Sequence, residues 1–264
     1  MRLLVGYILL LLPTLLFAQY QPTIASGRPG VAINTQTVGR GVYQVETGMT
    51  LGWEEVGSQK VRDITESTIL RIGILERLEV SGAVIGSAVE SRVFSGRNSW
   101  DRGISATELG GRYSFLDNEG WVPALVLDAA ALLRAQDEEF QRDHTGARFI
   151  VSADWGLTEA TNLTVNLNRT WVGDGTRNTG YVVSFGLSLS DRLGSFVEAY
   201  GDLSKPATAY FDGGFAYLIG NHVQLDAAVG WEGTNGVPSY YLDFGVSFRI
   251  DGRVLRERSI QDVN

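Results

Sequence analysis

No cysteine occurs anywhere in the chain. Disulfides and a lipid-attached N-terminal cysteine are therefore excluded, and a polypeptide without such staples has to draw its stability from a large closed fold. Histidine is almost as scarce: His144 and His222 are the only two, too few and too far apart in sequence for a zinc site. Lysine is limited to Lys60 and Lys205 against twenty arginines, a bias that genomic base composition also produces, so no argument rests on it. The formal charge is −8, and loss of Arg2 with a leader would make it −9; such a field repels phosphate and excludes nucleic acid as a partner. Mean hydropathy is near zero with 44% apolar residues, which excludes both a disordered chain and a helical membrane bundle. Only one long apolar run exists, and it lies at the N-terminus.

That run, MRLLVGYILLLLPTLLFAQ, places Arg2 before an apolar stretch from Leu3 to Phe17 and ends in Ala18. The order of charge, short apolar core and small residue is that of a secretory signal peptide over residues 1–18, cleaved after Ala18; the stretch is shorter than a spanning helix requires. A retained anchor is the competing reading.

The remainder alternates. GYVVSFGLSLS (180–190) sets Tyr181, Val183, Phe185, Leu187 and Leu189 on one side of a strand and Val182, Ser184, Gly186, Ser188 and Ser190 on the other. The same period of two marks 42–53, 63–75, 77–90, 104–116, 121–134, 147–157, 161–172, 180–190, 194–203, 207–218, 222–233 and 239–250. Twelve strands and no sustained helical period predict an all-β fold, at about twenty residues per strand plus connection. A soluble sandwich would turn the apolar strips into a core, whereas an outer-membrane barrel would turn them to lipid.

Connections and faces separate the two. Connection lengths alternate: 54–62 long, Glu76 short, 91–103 long, 117–120 short, 135–146 long, 158–160 short, 173–179 long, 191–193 short. An up-and-down barrel with short periplasmic turns and longer external loops has that parity, and a Greek-key sandwich has no reason for it. In the last three connections (204–206, 219–221, 234–238) the alternation fades. One face carries Tyr43, Val45, Met49, Leu51 and Trp53, or Leu242, Phe244, Val246, Phe248 and Ile250. The other carries Gln44, Glu46, Gly48, Ser152, Asn162, Thr164, Asn166 and Asn168. Trp53, Trp155, Trp171 and Trp231 fall near strand ends, where amphipathic rings favour the headgroup boundary. Glycine and serine suit a confined, curved interior. The balance predicts a twelve-stranded antiparallel up-and-down transmembrane β-barrel over 42–250. Two features fit poorly: WVPALVLDAAALLR (121–134) is apolar on both faces and read alone suggests a buried helix, and Arg169 falls on the lipid side, tolerable only at the membrane boundary.

RPGVAINTQTVGRGVYQVETGMTL (28–51), LRIGILERLEVSGA (70–83), FVEAYGD (196–202), FDGGFAYLIGNHVQLDAAVGW (211–231) and DFGVSFRI (243–250) resemble outer-membrane barrels assigned to transport in the phenol-degradation meta pathway. The resemblance runs in order along nearly the whole mature chain. It implies an outer-membrane location in a Gram-negative cell and uptake of small, often aromatic or apolar molecules. The last strand is similar to the signal by which such barrels engage the outer-membrane assembly machinery, falling on Asp243, Gly245, Phe248 and Ile250, but a polar tail (251–264) stands where the family's terminal aromatic would be.

Alternation places Glu46, Arg71, Glu79, Glu108, Arg112, Asp128, Arg148, Asp154, Glu198, Asp226 and Asp243 in the lumen. A barrel of this size leaves opposite charges within reach of one another, and an isolated charge would be costly there. Pairing of Arg71 with Glu46 or Glu79, and of Arg112 with Glu108, is expected. Such a network either fixes strand register or forms a selectivity-setting constriction. Residues 19–41 are polar and glycine-rich, and the stretch from Pro22 is long enough to cross the lumen at about 3.3 Å per extended residue. It is either a flexible periplasmic tail or a plug entering from that side, with Arg28 reaching an internal carboxylate.

Enzyme readings find little support. A barrel phospholipase needs a serine and a histidine held together by a third polar group, and neither histidine lies in a strand beside a serine. The loops GDGTRNTG (173–180) and RDHTG read as turns rather than calcium loops, and no phosphate-binding loop is present. No cofactor is implied. The sequence predicts a monomeric passive channel with lipid, lipopolysaccharide and a small solute as partners. A closed structural or surface-interaction barrel and, more distantly, a lipid-modifying enzyme remain open.

Overall fold

The computed structural model describes residues 22–57, 59–93, 99–134, 136–203, 207–233 and 237–252. The signal peptide expected at 1–18, the first residues of the 19–41 segment and the tail beyond residue 252 lie outside the described residues. The strands are β1 (Val42–Val56), β2 (Gln59–Leu75), β3 (Leu78–Val93), β4 (Ser99–Leu116), β5 (Ala124–Leu132), β6 (Gly146–Gly156), β7 (Thr161–Trp171), β8 (Arg177–Ser188), β9 (Leu193–Asp202), β10 (Tyr210–Ile219), β11 (Val223–Trp231) and β12 (Ser239–Asp251). Each pairs antiparallel with its sequence neighbours, and β1 closes on β12 from Val42↔Asp251 to Glu54↔Ser239. Closure satisfies the ladder of backbone groups at both edges, the condition for strands to stand in hydrocarbon. No helix among the described residues is long and apolar enough to cross a membrane, which says nothing of a strand barrel.

Which face looks outward is decided by exposure. In β8, Val183 and Phe185 are 39% and 40% exposed, whereas Val182 and Ser184 are 3% and 7%. The buried set of the whole barrel is mostly polar, from Gln44 and Glu79 to Asn166 and Ser247, and the exposed set is mostly large and apolar. That inversion is what a lipid solvent selects. Phe211, Trp231, Tyr240 and Trp53 stand in register on β10, β11, β12 and β1, and Phe211 stacks on Trp231 at 6.4 Å. They form one arc of an aromatic belt. On the same rim the Arg169 guanidinium lies 5.3 Å from the Trp171 ring and hydrogen-bonds Thr179, so its charge stays at the boundary rather than in the hydrocarbon.

Several connections differ from the sequence expectation. Residues 54–62 form not a long loop but the tip of a hairpin: β1 runs to Val56, β2 starts at Gln59, and Gly57 turns with φ +61°. Arg62 stands opposite Trp53 at the level of the aromatic arc, and beyond it both faces are charged (Glu54, Glu55, Lys60), so alternation disappears while pairing continues, with Lys60 on Glu55 at 2.8 Å. β1 to β4 thus project past the membrane on the side of the longer connections. There the chain crosses at 133–145, which carries a 3₁₀ turn at Glu138–Phe140, and at 172–176, 203–209 and 232–238. The opposite end has 76–77, 117–123, 157–160, 189–192 and 220–222. Long–short alternation reaches the last connections, because β9 ends at Asp202 and β10 starts only at Tyr210, but it fails among the first four, where 57–58 is no longer than 76–77 and 117–123 exceeds 94–98. The apolar 121–134 segment is a strand, not a helix; it begins after Pro123 and turns Val126, Ala130 and Leu132 inward, while Trp121 stands 93% exposed in the turn before it.

Candidate functional site

Residues 22–41 lie inside the cylinder and make an out-and-back path from the short-turn end. At that end the Ile24 N–H donates to the Asn221 carbonyl at 2.8 Å and Arg249 to the Thr23 carbonyl at 2.8 Å. Ser26 meets Ser247 (2.7 Å), and the Gly27 N–H donates to Glu46 (3.0 Å). The chain then crosses the lumen. Val31 and Ala32 N–H both donate to Glu198 Oε2 (2.7 and 3.1 Å), and Ile33 N–H donates to Asn166 (2.8 Å) while its carbonyl accepts from Ser152 and Asn166. On the return, Arg71 and Arg112 both donate to the Gln36 carbonyl (3.0 Å each), and Val38 N–H donates to Glu79 (2.8 Å). Gly41 N–H finally bonds Gly73 at 2.9 Å and delivers the chain into β1. A segment lacking its own secondary structure must satisfy its backbone groups elsewhere, and here the barrel wall does so.

The charged wall residues fall into two groups. On β1 to β6, Arg71 is clamped between Glu46 (2.8 Å) and Glu79 (2.7 Å). Arg112, in register between Glu79 and Asp128, lies 3.8 and 3.4 Å from them, and Arg148 forks onto Glu108 at 3.1 and 2.7 Å. Glu108 therefore pairs with Arg148, two strands away, and not with Arg112; Arg112 takes Asp128 instead. Asp154 of β6 accepts from Thr164 and Asn162 and joins neither group. On β9 to β12, Glu198 holds the crossing of the inserted chain, and Arg28 donates to both oxygens of Asp243 at 2.8 Å with Asp226 at 3.4 Å.

Buried and half-buried residues that the sequence reading did not single out as site residues complete the wall. Tyr241 donates to Asp212 at 2.5 Å, and Tyr200 to Glu232 at 2.8 Å. Alternation around Phe211, Phe215 and Tyr217 already assigns Asp212 inward, and the outward Leu242 assigns Tyr241 inward. Gln44, which alternation already sets on the inner face, and Gln224 donate to the Ala25 and Arg28 carbonyls; uncharged, neither was picked out as a site residue.

Among the described residues, openings border the insert on two sides. One, of about 300 Å³ toward the long-connection mouth, is bordered by Arg28, Asp63, Glu232, Tyr241 and Asp243. The other, of about 230 Å³, lies against Glu46, Arg71, Arg112 and Arg148. His144 belongs to the 133–145 connection and His222 to 220–222, at opposite ends of the barrel. Among the described residues no group of three or more His, Cys, Asp or Glu is placed to hold a metal.

In fold the chain is similar to the outer-membrane channel of Pseudomonas putida F1 described as COG4313: TM-score 0.68, 10% identity, 84% of this chain and 99% of that one covered. It is also similar to the KdgM porin (0.52, 9%, 76% and 98%) and to the transport unit of the Escherichia coli autotransporter AIDA-I (0.50, 10%, 78% and 89%). At these identities the likeness concerns the fold alone. No functionally curated protein matches in sequence. Residues 26–250, which include the crossing of the inserted segment and all twelve strands up to the penultimate residue of β12, match the family model described as "Putative MetA-pathway of phenol degradation", and the chain belongs to that family.

Proposed function

We propose that the protein is an outer-membrane channel through which small solutes, aromatic or apolar ones among them, move down their gradients, and that residues 22–41 act as its plug. The observation that carries this reading is the inversion of the fold: an apolar exterior around a polar lumen whose occupant is the chain's own N-terminal segment, held by side chains rather than by a fused strand. A segment held by individually modest hydrogen bonds is displaceable without opening the barrel. In this reading residues 1–18 are removed on export and β12 is presented to the assembly machinery. The monomer sits with its longer connections among lipopolysaccharide. Glu46, Arg71, Glu79, Arg112 and Asp128 fix register and seat the returning half of the plug; Glu108 with Arg148 and Asp154 border the remaining passage. Glu198, Asp226 and Asp243 hold the crossing. Solute flux into liposomes containing the purified chain tests it. Uptake that rises when residues 22–38 are deleted supports the channel; no uptake by either form, with heat-modifiable gel migration showing intact barrels, would establish a closed structural barrel instead.

A further inference from the structure

Arg28 does not simply lie against the wall; a slot is built for it. Asp226, Gly245 and Gly48 stand side by side in register on β11, β12 and β1. A Cβ at Gly48 or at Gly245 would collide with the Arg28 guanidinium, and one at Gly245 would also strike Asp226 Oδ1 at 2.6 Å. The absence of two side chains thus shapes a flat recess with one carboxylate at its end and Asp243 beside it. The Asp226 side chain is fully buried, yet its cation stands off at 3.4 Å and no well-aligned hydrogen bond reaches its oxygens, while Arg28 Nε is likewise without a well-aligned acceptor. Tethered by its backbone, Arg28 brings one nitrogen, Nη2, to both oxygens of Asp243 and leaves Asp226 3.4 Å from that same nitrogen, so the paired-donor edge of its guanidinium is not matched to either carboxylate. Buried acceptors left in that state are costly, and a planar cation free to rotate can satisfy both carboxylates at once.

We propose that this recess is a guanidinium-binding site, occupied at rest by the chain's own Arg28, and that free guanidinium-bearing solutes compete with Arg28 for it and thereby unseat the plug. Two features favour guanidinium over other cations, and a third favours cations in general. The slot is flat, as the glycine row dictates; its two carboxylates suit forked donors rather than a point charge. The wall around it is acidic, with Glu198, Asp212, Asp226 and Asp243 on four neighbouring strands. The opening of about 300 Å³ brings a solute from the long-connection mouth past Asp63 and Glu232 to Arg28 and Asp243, so the approach attracts cations. The unseating rests on the channel reading; the binding does not.

The test uses the purified full chain in detergent, with methylguanidinium as probe and tetramethylammonium, equal in charge but without donors, as control, and calorimetry as readout. Arg28→Ala removes the internal competitor, so methylguanidinium should bind about tenfold or more tightly than to the unsubstituted chain, as expected when a site is freed from an occupant. Adding Asp226→Asn, or Gly48→Val to fill the slot without touching a charge, should abolish that gain; heat-modifiable migration verifies folding, and the Gly48→Val arm decides if the Asp226→Asn barrel does not form. Equal affinity with and without Arg28, or tetramethylammonium binding as well as methylguanidinium, would overturn the proposal. In liposomes, methylguanidinium should raise solute flux through the unsubstituted chain. Binding as described with no flux under any condition would overturn the unseating together with the channel reading and leave the site standing; flux without the binding pattern would remove the site and leave the channel.

Discussion

Replacing Glu198 by alanine should loosen the plug at its crossing while leaving the barrel closed. One oxygen of Glu198 accepts both the Val31 and the Ala32 N–H, at 2.7 and 3.1 Å. Hydrogen bonds to a charged acceptor contribute about 1.5–3 kcal/mol each, but two on one oxygen are not additive and lumen water replaces part of the loss, so about 2 kcal/mol is the net expectation. That corresponds to roughly a 30-fold rise in the population with the crossing unseated. The next anchors along the segment, Asn166 and Ser152 on Ile33, are uncharged, and the Arg28–Asp243 pair holds residue 28 rather than the 31–32 backbone, so neither restores it. Within the wall Glu198 lies between Ser184 of β8 and Asp212 of β10, while the strand pairing on either side runs through the backbone and is untouched by the substitution. Single-channel recording should show openings more frequent by about that factor, and amide exchange at residues 31–33 should accelerate in step. Glu198→Gln, which keeps an acceptor, should fall between. Unchanged opening frequency and unchanged exchange in Glu198→Ala would refute the idea that this carboxylate holds the crossing.

Two further outcomes follow from the same geometry. Arg71→Met strands Glu46 and Glu79 without their shared cation and should destabilise the barrel by about 3–5 kcal/mol in urea unfolding; adding Glu46→Gln and Glu79→Gln should recover much of it. Val197→Arg places a charge on the outward face in the middle of β9, where the native side chain is 61% exposed, and should cost about 2–4 kcal/mol in folding into bilayers while having little effect in detergent.

Strand count, the sense of each face and closure were legible because alternation reports directly which side of a sheet a residue takes. The strand ends near 54–62 were not, since outside the membrane both faces meet water and the apolar signal stops where pairing does not. Lumen pairings were legible only in part. Alternation gives the face but not the height, and height depends on how strands shear around the cylinder: Arg112 finds itself level with Glu79 and Asp128, while Glu108 reaches Arg148 across an intervening strand. The path of residues 22–41 has no periodicity at all. Its order comes from scattered wall acceptors on β7, β9 and β3, which no local pattern announces. Asp212 and Tyr241 were within reach of the same alternation that placed Asp226 and Asp243; the aromatic character of Tyr241 disguised an inward position.

The absence of cysteine makes one measurement especially direct. Ser26 Oγ and Ser247 Oγ lie 2.7 Å apart, joining the inserted segment to β12 across the lumen, and a disulfide requires its sulfurs about 2.05 Å apart. In the double variant Ser26→Cys, Ser247→Cys, purified barrels should cross-link under mild oxidation, run differently from their reduced form on a denaturing gel, and show openings suppressed until reductant is added. Correctly folded barrels in which those two cysteines stay unlinked and freely labelled would contradict the placement of the N-terminal segment inside the cylinder, and the account of the site with it.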